Sequence, residues 1–282
     1  MLFRPNYHVK IVARLTEIAG LNAFWGGVFV PTMGGLHEGH LELVRKAKDL
    51  GHPVVVSVFV NPDQFNDQDD YADYPRQFEA DAAQAEAAGA DLVWGPSNAV
   101  IYPQGEDVAT PDLPRVATHP GLEDAHRPGH FAGVLRVVQR LFDLVRPEVA
   151  VFGEKDWQQL QVVQSMVDRD GGPRIHAMPT CREAEGLARS SRNERLSPLA
   201  KQRARAVYLA LQAAGAANHP STAERVMRET LESHDLEVEY AVVRSSVGLR
   251  SVDDFSRPSR ALIAAWLDGV RLIDNLPMPV WT

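Results

Sequence analysis

Through the first two thirds of the chain, short apolar, β-branched runs alternate with longer stretches in which apolar residues recur at helical spacing. Val28 to Val30, Val54 to Val60, Leu92 to Trp94, Val149 to Phe152 and Ile175 to Ala177 are nearly continuously apolar, as in parallel strands covered on both faces. Helical spacing fills Gly39 to Asp49, Pro75 to Ala88, Gly133 to Val145 and Asp156 to Asp168. This alternation predicts an α/β fold, a Rossmann-like doubly wound parallel sheet with right-handed crossovers. Such sheets bind ligands at the carboxyl ends of their strands.

Two segments break the rhythm. Asn61 to Tyr74 and Gly95 to Gly129 are long, rich in Pro, Asp and Gly, and weakly periodic, which predicts binding loops. After Cys181 a polar loop, REAEGLARSSRNERLSP, leads into helices predicted at Pro198 to Ala217 and Thr222 to His234. Strands follow near Val238 to Val243, Ala261 to Trp266 and Arg271 to Ile273. The expected organisation is therefore a Rossmann-like domain over residues 1–181 and a smaller α+β domain over 182–282.

Composition narrows the class. Of 282 residues, 45% are hydrophobic and 23% charged, the balance of a globular protein with a sizeable core. The formal net charge of −8 argues against nucleic acid as the main partner. No apolar run approaches the roughly 18 to 20 residues of a membrane helix. The start, MLFRPNYHVKIVAR, is interrupted by polar residues before a secretory apolar region develops. One cysteine, Cys181, forms no internal disulfide and suits a reducing compartment, so a cytoplasmic location is expected.

The chemistry concentrates in PTMGGLHEGH, Pro31 to His40, between a strand and a helix. Gly34 and Gly35 suit a tight turn, and Gly39 lets a ligand approach the first helical turn, where free N–H groups and the dipole favour phosphate. His37 and His40, three residues apart, face the same side; imidazolium N–H groups there would stabilise developing phosphate charge. Two histidines at a helix start also serve as caps or solvated residues, and this reading stands beside the first. A metalloprotease zinc site is disfavoured, because its histidines are four apart around a glutamate. SVFVNPDQF places Asn61 and Gln64 in a polar turn, with amides able to hold a hydroxyl and a carboxylate oxygen together. RPGHFAGV offers Arg127 and His130 either as charge for an anion or as helix-start residues. FGEKDWQQL sets Lys155 where a flexible cation reaches phosphate, Asp156 in a first helical turn and Gln159 one turn on. LARSSRN supplies hydroxyls and cations in a loop suited to closing over a triphosphate.

These segments resemble the HxGH signature of the nucleotidylyltransferase superfamily and, more narrowly, the pantoate–β-alanine ligase family, in ordered motifs over nearly the whole chain. The resemblance implies a fold of the HxGH nucleotidylyltransferase type and a smaller C-terminal domain covering the active site. It implies ATP-dependent condensation of pantoate with β-alanine through a pantoyl adenylate, with Mg²⁺ accompanying ATP, in a homodimer. His37, His40 and Lys155 are the expected catalytic residues. ATP would meet Met33, Gly34, Gly35, Leu36, His37, Glu38, Gly39, His40, Gly153, Glu154, Lys155, Asp156, Cys181, Arg189, Ser190, Ser191 and Arg192. Pantoate would meet Gln64, Gln159, Asn61 and Met33, β-alanine would meet Gln64, and Asp81 would lie near magnesium. Three positions depart from the family pattern: Arg189 replaces Leu or Met, Glu185 a usual Asp, and Asp124 a common Gly. A dinucleotide-forming transferase would need a further basic cluster for its acceptor phosphate. A purely regulatory nucleotide binder would have no use for Gln64, Lys155, Gln159 and Arg192.

Overall fold

The computed structural model describes residues 20–280; the polar-interrupted amino terminus lies outside the described residues. Five strands, β1 (Val28–Thr32), β2 (Val54–Val58), β3 (Leu92–Trp94), β4 (Val149–Gly153) and β5 (Arg174–Met178), form one parallel sheet in the order β3-β2-β1-β4-β5. Each predicted strand is present. Alternation across the central strands sorts their side chains. Val28, Val30, Val54 and Val56 pack with Val44 and Ala47 of α1 (Glu38–Leu50) and with Ala82 and Ala85 of a later helix (Phe78–Ala88). On the other face, Phe29, Val55 and Ala150 meet Leu135, Phe142, Val163 and Met166 of two helices, His130–Val145 and Trp157–Asp170. β5 departs from the expectation of two covered faces: it is one of the two edge strands, and Arg174 and Ala177 are exposed.

The long loops are partly structured. The first contains a 3₁₀ turn, Pro62–Gln64, and α2 (Gln68–Ala72); α3 (Phe78–Ala88) follows it, starting three residues later than predicted. The second contains α4 (Asn98–Ile101) and α5 (Glu123–His126), and runs into α6 (His130–Val145). A 3₁₀ turn, Glu154–Asp156, precedes α7 (Trp157–Asp170). The predicted helix Pro198 to Ala217 divides at Arg205 into α8 (Pro198–Ala204) and α9 (Ala206–Ala214). After α10 (Pro220–Glu232), an antiparallel sheet of β6 (Glu237–Ser245), β7 (Ser259–Leu267) and β8 (Val270–Pro277) packs Ala261, Ile263 and Leu272 against Leu211, Met227 and Leu231. No helix among the described residues is long and apolar enough to cross a membrane.

One detail of register opens the site. β1 pairs with β2 up to Thr32, and β4 with β5 up to Gly153, but β1 and β4 are joined only at Val28–Val149 and Phe29–Ala150. The two central strands therefore part toward their carboxyl ends, at the switch point where strand order reverses.

Candidate active site

The turn after β1 is held from beneath. Gly34 and Gly35 have φ of 83° and 59°, the left-handed region that a Cβ disfavours. Thr32 Oγ1 donates to the Ser57 carbonyl (2.6 Å) and accepts from the Gly34 N–H (3.3 Å). Asp81 Oδ2 accepts from Gly35 N–H (3.0 Å), and Oδ1 from Leu36 N–H (2.8 Å). The Asp81 carboxylate is wholly buried, and with one backbone donor on each oxygen it supports the turn.

His37 and His40 serve both as caps and as site residues. His37 Nδ1 accepts from the Gly39 N–H (3.2 Å), and His40 Nδ1 accepts from the His37 N–H (3.3 Å), a reciprocal cap at the start of α1. Each Nδ1 is therefore an acceptor, which places the proton of each neutral ring on Nε2. The rings lie with centroids 4.1 Å apart and both line one cavity. Burial, then Lys155 and Arg189, lowers the His37 pKa to about 4; burial, then His37 and Lys155, lowers that of His40 to about 3. The expected imidazolium pair is thus a pair of neutral N–H donors at neutral pH, because burial penalises a charged ring and the neighbouring cations repel it. Positive charge in the cavity resides on Lys155, Arg127, Arg189 and Arg192.

The cavity, about 240 Å³, occupies the gap between β1 and β4. Its walls bring together Met33, His37, Gly39, His40, Asn61, Gln64, Gly153, Lys155, Asp156, Gln159, Cys181, Arg189, Ser190, Ser191 and Arg192. Six predicted nucleotide or metal residues stay outside this lining. Gly34, Gly35 and Leu36 shape the turn, Asp81 supports it, Glu38 pairs with Arg45 (2.6 Å) on the surface, and Glu154 pairs with Arg260 (2.7 Å). Gly39 has a further use, since a Cβ there would sit 3.0 Å from the His37 ring.

Gln64 is held by several partners. Its Nε2 donates to Met33 Sδ (2.7 Å), and its Oε1 accepts from Asn61 Nδ2 (3.2 Å). Asn61 is buried and fully engaged, also donating to the Gly133 carbonyl (3.2 Å) and accepting from the Tyr102 hydroxyl (2.9 Å). The neighbouring wall is apolar, formed by Val134, Val137, Val138 and Leu141 of α6. Gln158 is structural, unlike Gln159: it is buried and bridges Val116, Glu123 and Asp124.

Residues from the antiparallel sheet anchor the Lys155 segment. Asn275 Nδ2 donates to the carbonyls of Glu154 (3.0 Å) and Lys155 (2.9 Å), and Arg260 reaches Glu154 while stacking on Trp157. Arg260, Asp274 and Asn275 flank the apolar runs predicted as strands, and all three are buried. Asp274 holds Arg182, at the base of the loop leading to Arg189. That loop is tied down by Asp70, which accepts from Arg192 (2.8 Å) and Arg195 (2.9 Å). Of the departures from the family pattern, Arg189 adds a cation to the cavity, Glu185 pairs with Arg205 (3.1 Å), and Asp124 caps its own turn by accepting from Gly121 and Leu122 N–H groups.

No group of three or more His, Cys, Asp or Glu side chains suited to a metal occurs among the described residues. Among those residues Asp156 is the one carboxylate lining the cavity. A lone carboxylate fits a cation that arrives on a ligand's phosphates.

The family model described as Pantoate-beta-alanine ligase matches residues 11–277. The pantothenate synthetase of Thioalkalivibrio sulfidiphilus is 46% identical over 256 residues, covering 88% of this chain and 89% of its own. The crystal structure of pantothenate synthetase from Thermus thermophilus superposes with a TM-score of 0.86 at 42% identity, covering 92% of this chain and 96% of that one. A pantoate–β-alanine ligase from Francisella tularensis, solved with beta-gamma ATP and β-alanine, gives a TM-score of 0.72 at 33% identity, with 89% of each chain covered. Motif, fold and similarity over almost the full length agree, and the chain belongs to the pantoate–β-alanine ligase family.

Proposed function

We propose that this chain condenses pantoate with β-alanine to pantothenate, cleaving ATP to AMP and pyrophosphate through a pantoyl adenylate. The observation that carries this reading is the pairing of two unlike walls in one cavity. One bears phosphate-directed donors, His37, His40, Lys155, Arg189 and Arg192; the other sets Gln64 and Gln159 beside apolar α6. Pantoate has the matching halves, a dimethyl carbon for the apolar wall and hydroxyl and carboxylate oxygens for the amides. In the first step a pantoate carboxylate oxygen bonds to the α-phosphorus while the bond to the bridging oxygen breaks and pyrophosphate leaves. The two glutamines position the nucleophile. The neutral Nε2–H groups and the three cations offset charge growing on the phosphoryl oxygens. In the second step the β-alanine amine attacks the acyl carbon, AMP departs with the former carboxylate oxygen, and the amine gives up its proton.

Magnesium enters as part of the substrate, Mg·ATP, with Asp156 the carboxylate at hand. The reading includes a homodimer in the reducing cytoplasm that suits the Cys181 thiol. The test is AMP and pyrophosphate release from Mg·ATP with pantoate alone, β-alanine alone and both together. AMP release that requires both substrates, with pantothenate formed, is expected. ATP binding with no release under any condition overturns the reading.

A further inference from the structure

The RPGHF segment reaches the cavity, yet its most specific contacts are to the protein itself. The Gln64 carbonyl oxygen lies 2.9 Å from His130 Nδ1 and 3.2 Å from Arg127 Nη2, and Arg127 Nη1 lies 3.1 Å from His130 Nε2. A carbonyl oxygen only accepts and a guanidinium only donates, so both ring nitrogens are assigned: Nδ1–H donates to Gln64 and Nε2 accepts from Arg127. His130 is buried, and Glu123 stands 3.6 Å behind Arg127. The same helix start meets the Asn61–Gln64 turn at close range. A Cβ on Gly133 would fall 2.2 Å from the Asp63 carbonyl oxygen, and the Gly133 carbonyl accepts from Asn61.

We infer that His130, oriented by Arg127, is a positioning residue that sets the place of Gln64 and thereby the affinity for the hydroxy-acid substrate. This rests on the reading above that Gln64 holds pantoate. His130 touches neither ATP nor the reacting atoms in this role; it acts through the backbone of the turn. Burial, then Arg127, lowers its pKa to about 4, so the neutral tautomer persists across the working range of pH.

Steady-state kinetics of four variants, His130→Ala, His130→Asn, His130→Gln and Gln64→Ala, test the inference, with thermal melting of each. Asparagine places an N–H where Nδ1 stood, whereas glutamine carries its amide out to the place of Nε2. His130→Ala is expected to raise the pantoate KM about ten-fold, the effect of losing one buried hydrogen bond, while the ATP KM stays within about two-fold. His130→Asn restores most of the pantoate affinity. If the alanine variant does not fold, the Asn and Gln pair decides: Gln is expected near the alanine value and Asn near wild type. Equal pantoate KM in these two, or ATP and pantoate KM rising together in His130→Ala, overturns the inference. A pantoate KM unmoved by Gln64→Ala overturns the assignment of Gln64, and this inference with it.

Discussion

The turn at residues 32–40 and the loop at 188–195 face the same cavity and are built in opposite ways. The first is fastened by buried, backbone-directed bonds from Thr32 and Asp81 and by two histidines whose rings cap the start of α1. The second has one such bond, from the buried Asn193 to the Ala188 carbonyl, but its cations rest on partly exposed contacts, with Arg192 and Arg195 sharing Asp70. Buried bonds to backbone hold a group in place before any ligand arrives. Exposed ion pairs contribute little, about 0–1 kcal/mol, and are readily exchanged for others. Arg192 is thus suited to trade a carboxylate for a phosphate, whereas the histidine pair has no alternative position.

The comparison is tested first at its rigid end. His40→Ala should lower the adenylation rate by about two to three orders of magnitude with the fold intact, as for loss of one preorganised donor. Rapid-quench measurement of pyrophosphate release checks this, and an unchanged rate would remove His40 from the chemistry. Asp81→Ala should leave two backbone donors unpartnered and destabilise the protein by about 2–4 kcal/mol. Calorimetry reads this as a fall in Tm of roughly 5–15 °C, and a Tm equal to wild type would mean the turn holds itself. At the exchangeable end, Asp70→Asn frees Arg192 from competition and should lower the ATP KM by about two- to three-fold, with a change in Tm of at most a few degrees. A large rise in KM would show that the ion pair is needed to place the loop.

A further effect is acidic. His37, His40 and His130 have folded pKa values lowered to about 4, 3 and 4 from an ordinary 6.5. The unfolded chain therefore binds protons that the folded chain refuses once pH falls below 6.5. Their contribution is present in full above that value and is lost as pH falls toward 4, so Tm should fall markedly from pH 6.5 to 5. Glu123 titrates later: burial alone would raise its pKa, but the Arg271 hydrogen bonds and charge overcome this and hold it to about 2. Its stabilisation is therefore lost only from about pH 4.5 downward. In His130→Asn the slope between pH 6.5 and 5 should be shallower, and an identical slope would exclude His130 as a contributor.

Much of this was legible in the sequence for definite physical reasons. Strands buried on both faces need unbroken apolar runs, so β1 to β4 announce themselves, and the order of elements dictates a parallel sheet with its site at the carboxyl ends. The motif residues His37, His40, Gln64, Lys155, Gln159 and Arg192 were marked by local spacing and family resemblance, and all of them line one cavity. What local spacing does not encode is partnership across the chain. Asp81 reads as an exposed helical acid until the fold lays Gly35 and Leu36 against it, 46 and 45 residues away in sequence. Asn275 and Arg260 lie just beyond the apolar runs predicted as strands, and the segment they secure becomes visible only when β7 and β8 dock on Glu154 and Trp157.

Protonation divides along the same line. The sequence supplied two histidines aimed at one ligand. Their neutrality and their Nε2–H tautomers follow from helix-cap geometry, burial and the cations that tertiary structure gathers around them. Composition, periodicity and motif order determined the fold class, the strand ends that bear the site and the chemistry of its residues, because each depends on neighbours along the chain. Partner choice, burial and charge state depend on neighbours in space, and only tertiary packing decided those.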